Sequence, residues 1–153
     1  MFKTISILAS LAICKLTAGQ DINLIIQVNE KLQLSSFSNI YVTFDSTKNS
    51  AKYEVDYVPG NLKLSENVIN ALKSDSSELI YLHLTYNTFS KTDHQTAQFF
   101  TRITNRQLQQ PYLIWNIYDF RDSRYKKWYQ RDKRQEFASE LVYPNSGILV
   151  RNE

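Results

Sequence analysis

From Glu78 to Asn87 the chain alternates without a break. Ile80, Leu82, Leu84 and Tyr86 fall on one side, and Tyr81, His83 and Thr85 on the other. A period of two marks a half-buried β-strand, because successive side chains of an extended backbone point to opposite faces. After a polar gap containing Lys91 and Asp93, a second aromatic run from Phe99 to Ile103 stands where a hairpin partner is expected. Such a pair carries a row of apolar side chains that only a second layer can cover. The hairpin from Glu78 to Ile103 is therefore expected at the centre of the fold, with Leu82 and Leu84 in the core and Lys91 and Asp93 in water.

The rest of the chain reads the same way. Leu24 to Val28 is an apolar run suited to a buried strand, NIYVTF (Asn39 to Phe44) and KYEVDYV (Lys52 to Val58) alternate, and Asp45 to Ser50 is a polar turn between them. Pro59-Gly60-Asn61 is expected to close that hairpin. Ser65 reads as an N-cap, with Glu66 in the first turn and Val68, Ile69 and Leu72 at helical spacing. Tyr112 to Tyr118 and Glu136 to Tyr143 are further strands, and Trp115, inside LIWNI, is expected in the core. Twenty aromatic residues against only three Gly and three Pro favour strands over helices and exclude a disordered chain. At 153 residues and 42% apolar content, one core is affordable and two are not. The expectation is an all-β protein, an antiparallel β-sandwich with one short helix, spanning residues 20–153.

Residues 1–19 are set apart by composition. Lys3 precedes an apolar run from Ile5 to Cys14, Lys15 interrupts it, and Thr17-Ala18-Gly19 places small residues before Gln20. Read from its residues, this is a cleavable signal peptide, since ten apolar-to-small residues fall short of the roughly 20 that cross a bilayer. Lys3 before the run keeps the N-terminus cytosolic and sends the body across the membrane. Cys14 is the only cysteine, so the body has no disulfide, thiolate nucleophile or cysteine metal site.

Few chemistries survive the residue inventory. Gly19, Gly60 and Gly147 stand too far apart for a phosphate-binding loop or a nucleophile elbow. His83 and His94 have no carboxylate or cysteine at ligand spacing, so His83 is expected on the polar face of its strand and His94 in a turn. No serine is placed beside a base, and catalytic, metal and cofactor residues are accordingly none. Lys3 and Lys15 removed, the body has 16 basic and 15 acidic residues, too even a balance for binding nucleic acid by counterion release. The charge is unevenly spread, however. Arg121 to Arg134 holds seven basic and two acidic residues, which leaves about −4 on the rest of the body. This stretch is either a solvated loop or a patch for anionic headgroups or an acidic partner. On the second reading Lys126 and Lys127 supply charge, and Trp128 and Tyr129, with Tyr125, are interfacial anchors.

Four blocks in fixed order resemble the third, 22/23 kDa subunit of the eukaryotic signal peptidase complex. They are Tyr81, Leu82, Tyr86 and Asn87; Phe99, Phe100, Arg102 and Ile103; Ile114, Trp115, Asn116 and Ile117; and Val142, Pro144, Gly147, Ile148 and Leu149. The chain departs from that family before the first block, where it has LKSDSSE, and at Glu140, where the family tends to place an aromatic residue. The resemblance implies a non-catalytic accessory subunit that stabilises the catalytic subunit during signal-peptide removal. It also implies single-pass residence in the endoplasmic reticulum membrane with the body in the lumen, so that residues 1–19 are kept as an anchor, Phe2 to Ala18 spanning and Lys15 snorkelling to the interface. The implied partners are the other subunits of the complex and that membrane. Without the resemblance, the same residues describe a secreted β-sandwich binding module whose signal peptide is removed.

Overall fold

The computed structural model describes residues 19–45, 50–74, 79–89 and 94–146. Residues 1–18, 46–49, 75–78, 90–93 and 147–153, among them the N-terminal apolar segment, Glu78, Lys91 and Asp93, lie outside the described residues.

The alternating stretch is β8 (Leu79–Phe89), paired antiparallel with β9 (His94–Thr104) in unbroken register from Leu79↔Thr104 to Phe89↔His94. These are the longest strands of the fold, at eleven residues each. On the other side of β8 lies β4 (Phe37–Thr43), followed at the edge by β5 (Tyr53–Glu54), giving a sheet in the order β5-β4-β8-β9. The β4–β8 register shifts between Ser38 and Tyr41, where Asn39 takes φ 47°. Such a bulge bends the strand and leaves a concavity on the sheet surface.

The second layer has the order β11-β10-β2-β3, formed by β2 (Leu24–Val28), β3 (Lys31–Leu32), β10 (Leu113–Asp119) and β11 (Phe137–Val142). Its pairs are antiparallel except β2 and β10, which run parallel with Leu24 beside Leu113 and Val28 beside Ile117. Asn29 and Glu30 alone join β2 to β3, at φ 52° and 63°. Two consecutive left-handed residues are what a tight hairpin turn needs to match the strand twist.

A smaller sheet, β1-β7-β6, covers one end. It contains β1 (Gln20–Ile22), β6 (Asp56–Val58) and β7 (Asn61–Leu64), and β7 runs into α1 (Glu66–Ser74). Here the structure corrects the sequence reading. KYEVDYV is not one strand but two, β5 pairing with β4 and β6 with β7, so the chain changes sheets at Val55. Pro59-Gly60 accordingly turns β6 into β7 and does not close the Asn39–Val58 hairpin. Gly60 has φ 94°, which a residue with a Cβ adopts only under strain. Helix α1 starts where expected: the Val68 N–H donates to Ser65 Oγ (3.5 Å), and Val68 is buried with Ile69 and Leu72 packed beside it.

The inner faces of the layers share one core. Leu24, Ile26 and Val28 of β2 and Leu113, Trp115 and Ile117 of β10 belong to the same buried cluster as Ile80, Leu82 and Leu84 of β8 and Phe99 and Ile103 of β9. The all-β sandwich reading holds, with Leu82, Leu84 and Trp115 in the core. The structure adds two short helices to the one expected: α2 (Asn105–Leu108) and α3 (Ser123–Tyr129). Thr104 and Gln107 cap α2 reciprocally, and the Asp122 side chain accepts from the Arg124 N–H at 2.9 Å to start α3.

Candidate functional site

Register sets Glu54, Tyr41, His83 and Phe100 side by side across the β5-β4-β8-β9 sheet, on the face turned away from the core. The Tyr41 and His83 rings stack at 4.7 Å and 7° between planes, and His83 lies 5.9 Å from Phe100. The Lys52 ammonium caps the row, 4.8 Å from the Tyr41 ring centroid. Phe100 is 50% exposed, a large value for a phenyl ring in mid-strand. Beside this row lies a groove of about 590 Å³, with Asn39, Glu54, Thr85 and Gln98 among its lining residues. Aromatic surface surrounded by convergent polar groups is the usual make-up of a binding site.

His83 is held neutral. Burial pushes its pKa below 6.5, and the positive charge of Lys52 pushes the same way. Its Nε2 lies 3.1 Å from Thr43 Oγ1, a spacing that resembles a hydroxyl nucleophile and its base. The hydrogen-bond count reverses that relation. Thr43 has one hydroxyl proton and donates it to the Asp45 carbonyl at 2.7 Å, so Thr43 Oγ1 accepts from the His83 Nε2–H. With its proton on that carbonyl, Thr43 is oriented by His83 and is itself only 4% exposed. His94, expected in a turn, is exposed at the first residue of β9.

The basic stretch is of two kinds: Tyr125, Trp128 and Tyr129 recur at helical spacing and turn toward the sheet as α3, whereas Arg131 to Arg134 form an exposed loop, as the first reading expected. Tyr125 is fully buried and Tyr129 is 5% exposed, stacked on Tyr118 at 4.0 Å. Both were expected as interfacial anchors and both are instead packing residues of a second small core with Tyr118 and Phe120. Burial, reinforced by the neighbouring Tyr129, pushes the Tyr118 phenol well above its usual range. Trp128 is half-buried, edge-on to Tyr125, with the Arg124 guanidinium over its ring. Of the four expected contact residues, Lys126 and Lys127 are exposed, Trp128 is partly so, and Tyr129 is withdrawn. Arg121, at the head of the stretch, is committed to Asp119, Nε to Oδ2 at 2.7 Å.

On its other side α3 faces the edge of β9. A cavity of about 630 Å³ is lined by Thr96, Ala97, Gln98 and Phe99 together with Lys126 and Lys133, and a second, of about 560 Å³, reaches from Phe100 to Arg131 and Arg134. Among the described residues no cluster of His, Cys, Asp or Glu could hold a metal ion, and no helix is long and apolar enough to cross a membrane.

No protein-family model, curated protein or solved structure matches this chain. Of the blocks that resemble the signal peptidase subunit, Gly147, Ile148 and Leu149 of the fourth lie outside the described residues, and the first three contain residues of two kinds. Leu82, Phe99, Ile103, Trp115 and Ile117 are buried core residues, which any sandwich of this pattern requires to be apolar. Tyr81, Phe100 and Arg102 are on the outer face of β8 and β9, where the core dictates nothing, and Tyr81 pairs directly with Arg102.

Proposed function

We propose that this chain is a non-catalytic β-sandwich of the secretory pathway that works by binding. The observation that carries this reading is the outward-facing row Tyr41-His83-Phe100 beside its polar groove. The N-terminal sequence, with its basic flank, apolar run and small residues, supports delivery across the membrane.

A second, more specific reading is the accessory subunit of the signal peptidase complex, anchored by residues 1–19 and stabilising the catalytic subunit in the lumen. It is supported by the four ordered blocks, and above all by Tyr81, Phe100 and Arg102, whose identities the core does not impose. One experiment separates the two. A C-terminally tagged full chain is expressed, its membranes are extracted with carbonate, and the recovered protein is sequenced from its N-terminus and probed for a peptidase subunit. A carbonate-resistant chain that begins at Met1 and brings the catalytic subunit with it establishes the accessory reading. Release of a chain beginning at Gln20, with no such subunit, leaves the secreted binding module. Cleavage of a signal-peptide substrate by the purified chain, abolished by changing one of its own serines, would overturn both.

A further inference from the structure

We propose that the free edge of β9 accepts an extended acidic peptide segment of another protein, which adds to the β5-β4-β8-β9 sheet as a further strand. This rests on the binding reading and names its partner chemistry.

The first observation is which residues line the cavity beside α3. Thr96, Ala97, Gln98 and Phe99 are consecutive, and consecutive strand residues send their side chains to opposite faces. No residue of β8 lines this cavity, whose remaining walls come from Asp119 to Glu136, so it lies on the side of β9 away from its ladder partner. β9 is, among the described residues, an edge strand whose ladder is to β8 alone. Among the described residues, the outward main-chain groups from Thr96 to Ile103 make no hydrogen bond to another segment. Eight consecutive residues of unpaired edge form a template for main-chain pairing, the means by which strand-addition sites gain affinity.

The second observation is charge. The wall opposite this edge carries Arg121, Lys126 and Lys133 with Asp119 and Glu136, and because Asp119 is taken up by Arg121, two lysines stand against one glutamate. The ammonium groups of Lys126 and Lys133, both lining the cavity, form no ion pair among the described residues. Lysine on an edge ordinarily repels strand addition by a like chain. Here it selects, because two lysines outnumber the one carboxylate of Glu136, so a basic strand meets excess positive charge and an acidic one neutralises it. Phe100 and Phe137, which meet edge to face at 5.7 Å and line the adjoining cavity, give apolar side chains of the same strand a place to rest. The fitting segment therefore alternates acidic and apolar residues.

The test uses the full-length chain and three fluorescent octapeptides. One alternates Glu and Val, one alternates Lys and Val, and one is the Glu-Val peptide N-methylated on alternate residues, which keeps the charge but removes the donors. Binding is followed by anisotropy, and the edge by amide hydrogen exchange of β9. The Glu-Val peptide should bind, slow exchange between Thr96 and Ile103, and weaken with salt. N-methylation should weaken it roughly tenfold or more. Lys126→Glu with Lys133→Glu, both at exposed or loop positions, should weaken it by a similar factor at low salt and leave the circular dichroism unchanged. Equal binding of the N-methylated peptide, or binding with no protection of β9, overturns strand addition. Equal binding of the Lys-Val peptide overturns the charge argument. A chain that retains a partner in the membrane experiment above but shows no β9 protection with any peptide overturns this proposal and leaves the binding reading intact.

Discussion

Helix α3 is fastened to the rest of the molecule through Tyr125, so Tyr125→Ala should undo the attachment. The ring is fully buried, stacked at 5.8 Å on Tyr118, met edge-on by Trp128, and covered by the Arg124 guanidinium at 4.5 Å. Its hydroxyl donates to the Asn29 carbonyl at 3.0 Å and accepts from Arg124 Nη2 at 2.7 Å. Asn29 and Glu30 are the left-handed pair that turns β2 into β3, and that turn is further held by the Asp119 N–H donating to Asn29 Oδ1 at 2.8 Å. Removing the ring costs about 3–5 kcal/mol from lost burial and the cavity left behind, a large part of the 5–15 kcal/mol that holds a typical domain together. Tyr125→Phe keeps the ring and removes only the hydroxyl, so it should cost roughly 1–2 kcal/mol, chiefly by leaving the Asn29 carbonyl without this donor. Urea denaturation of both variants, with the exposed Lys127→Ala as reference, measures the three values. A cost for Tyr125→Ala no larger than that of Lys127→Ala would show that α3 does not dock on the sheet. Equal costs for the Ala and Phe variants would show that the turn's hydrogen bonds, and not ring packing, secure the helix.

Other outcomes follow from the same geometry. His83 is held neutral by burial and Lys52, so its folded pKa lies below the unfolded 6.5; its contribution to stability is complete above that pH and is lost as the pH falls below it. Stability measured against pH should therefore decline below about pH 6.5 in the wild type, with a shallower slope in His83→Gln, and identical slopes would refute the assignment. Leu82→Ala, at a fully buried position in the middle of β8, should lower stability by about 2–5 kcal/mol in the same titration, whereas Phe100→Ala, half exposed, should cost far less. At Gly19 a Cβ would collide with the Leu64 carbonyl of β7, so in a chain that keeps residues 1–19 Gly19→Ala should separate β1 from β7, seen as faster amide exchange of Asp21 and Ile22.

The alternation of Glu78 to Asn87 determined the strand, its inward face and its partner, because a period of two admits one backbone conformation and burial selects one of its two faces. Local chemistry likewise fixed the start of α1, where a serine cap, an early acid and apolar residues at helical spacing agree. Two short signals were present but were outweighed by composition: Thr104-x-x-Gln107, which is a capping box, and the spacing of Tyr125, Trp128 and Tyr129 within a run of charge. Read as charge, Arg121 to Arg134 is a surface; read as period, its first half is a helix with a buried side, Ser123–Tyr129. The remaining features depend on which strands meet, and no local pattern specifies that. Sheet exchange at Val55 turns KYEVDYV into strands of two different sheets, and the parallel pairing of β2 with β10 joins residues about ninety positions apart. The candidate site is of this kind. Tyr41, His83 and Phe100 come from three strands and become a row only through register, and the edge of β9 becomes a seam only because the chain after β10 folds back beside it. Periodicity selects the face a residue occupies, whereas its neighbours on that face are set by long-range pairing, which is decided only when the two layers close over one core.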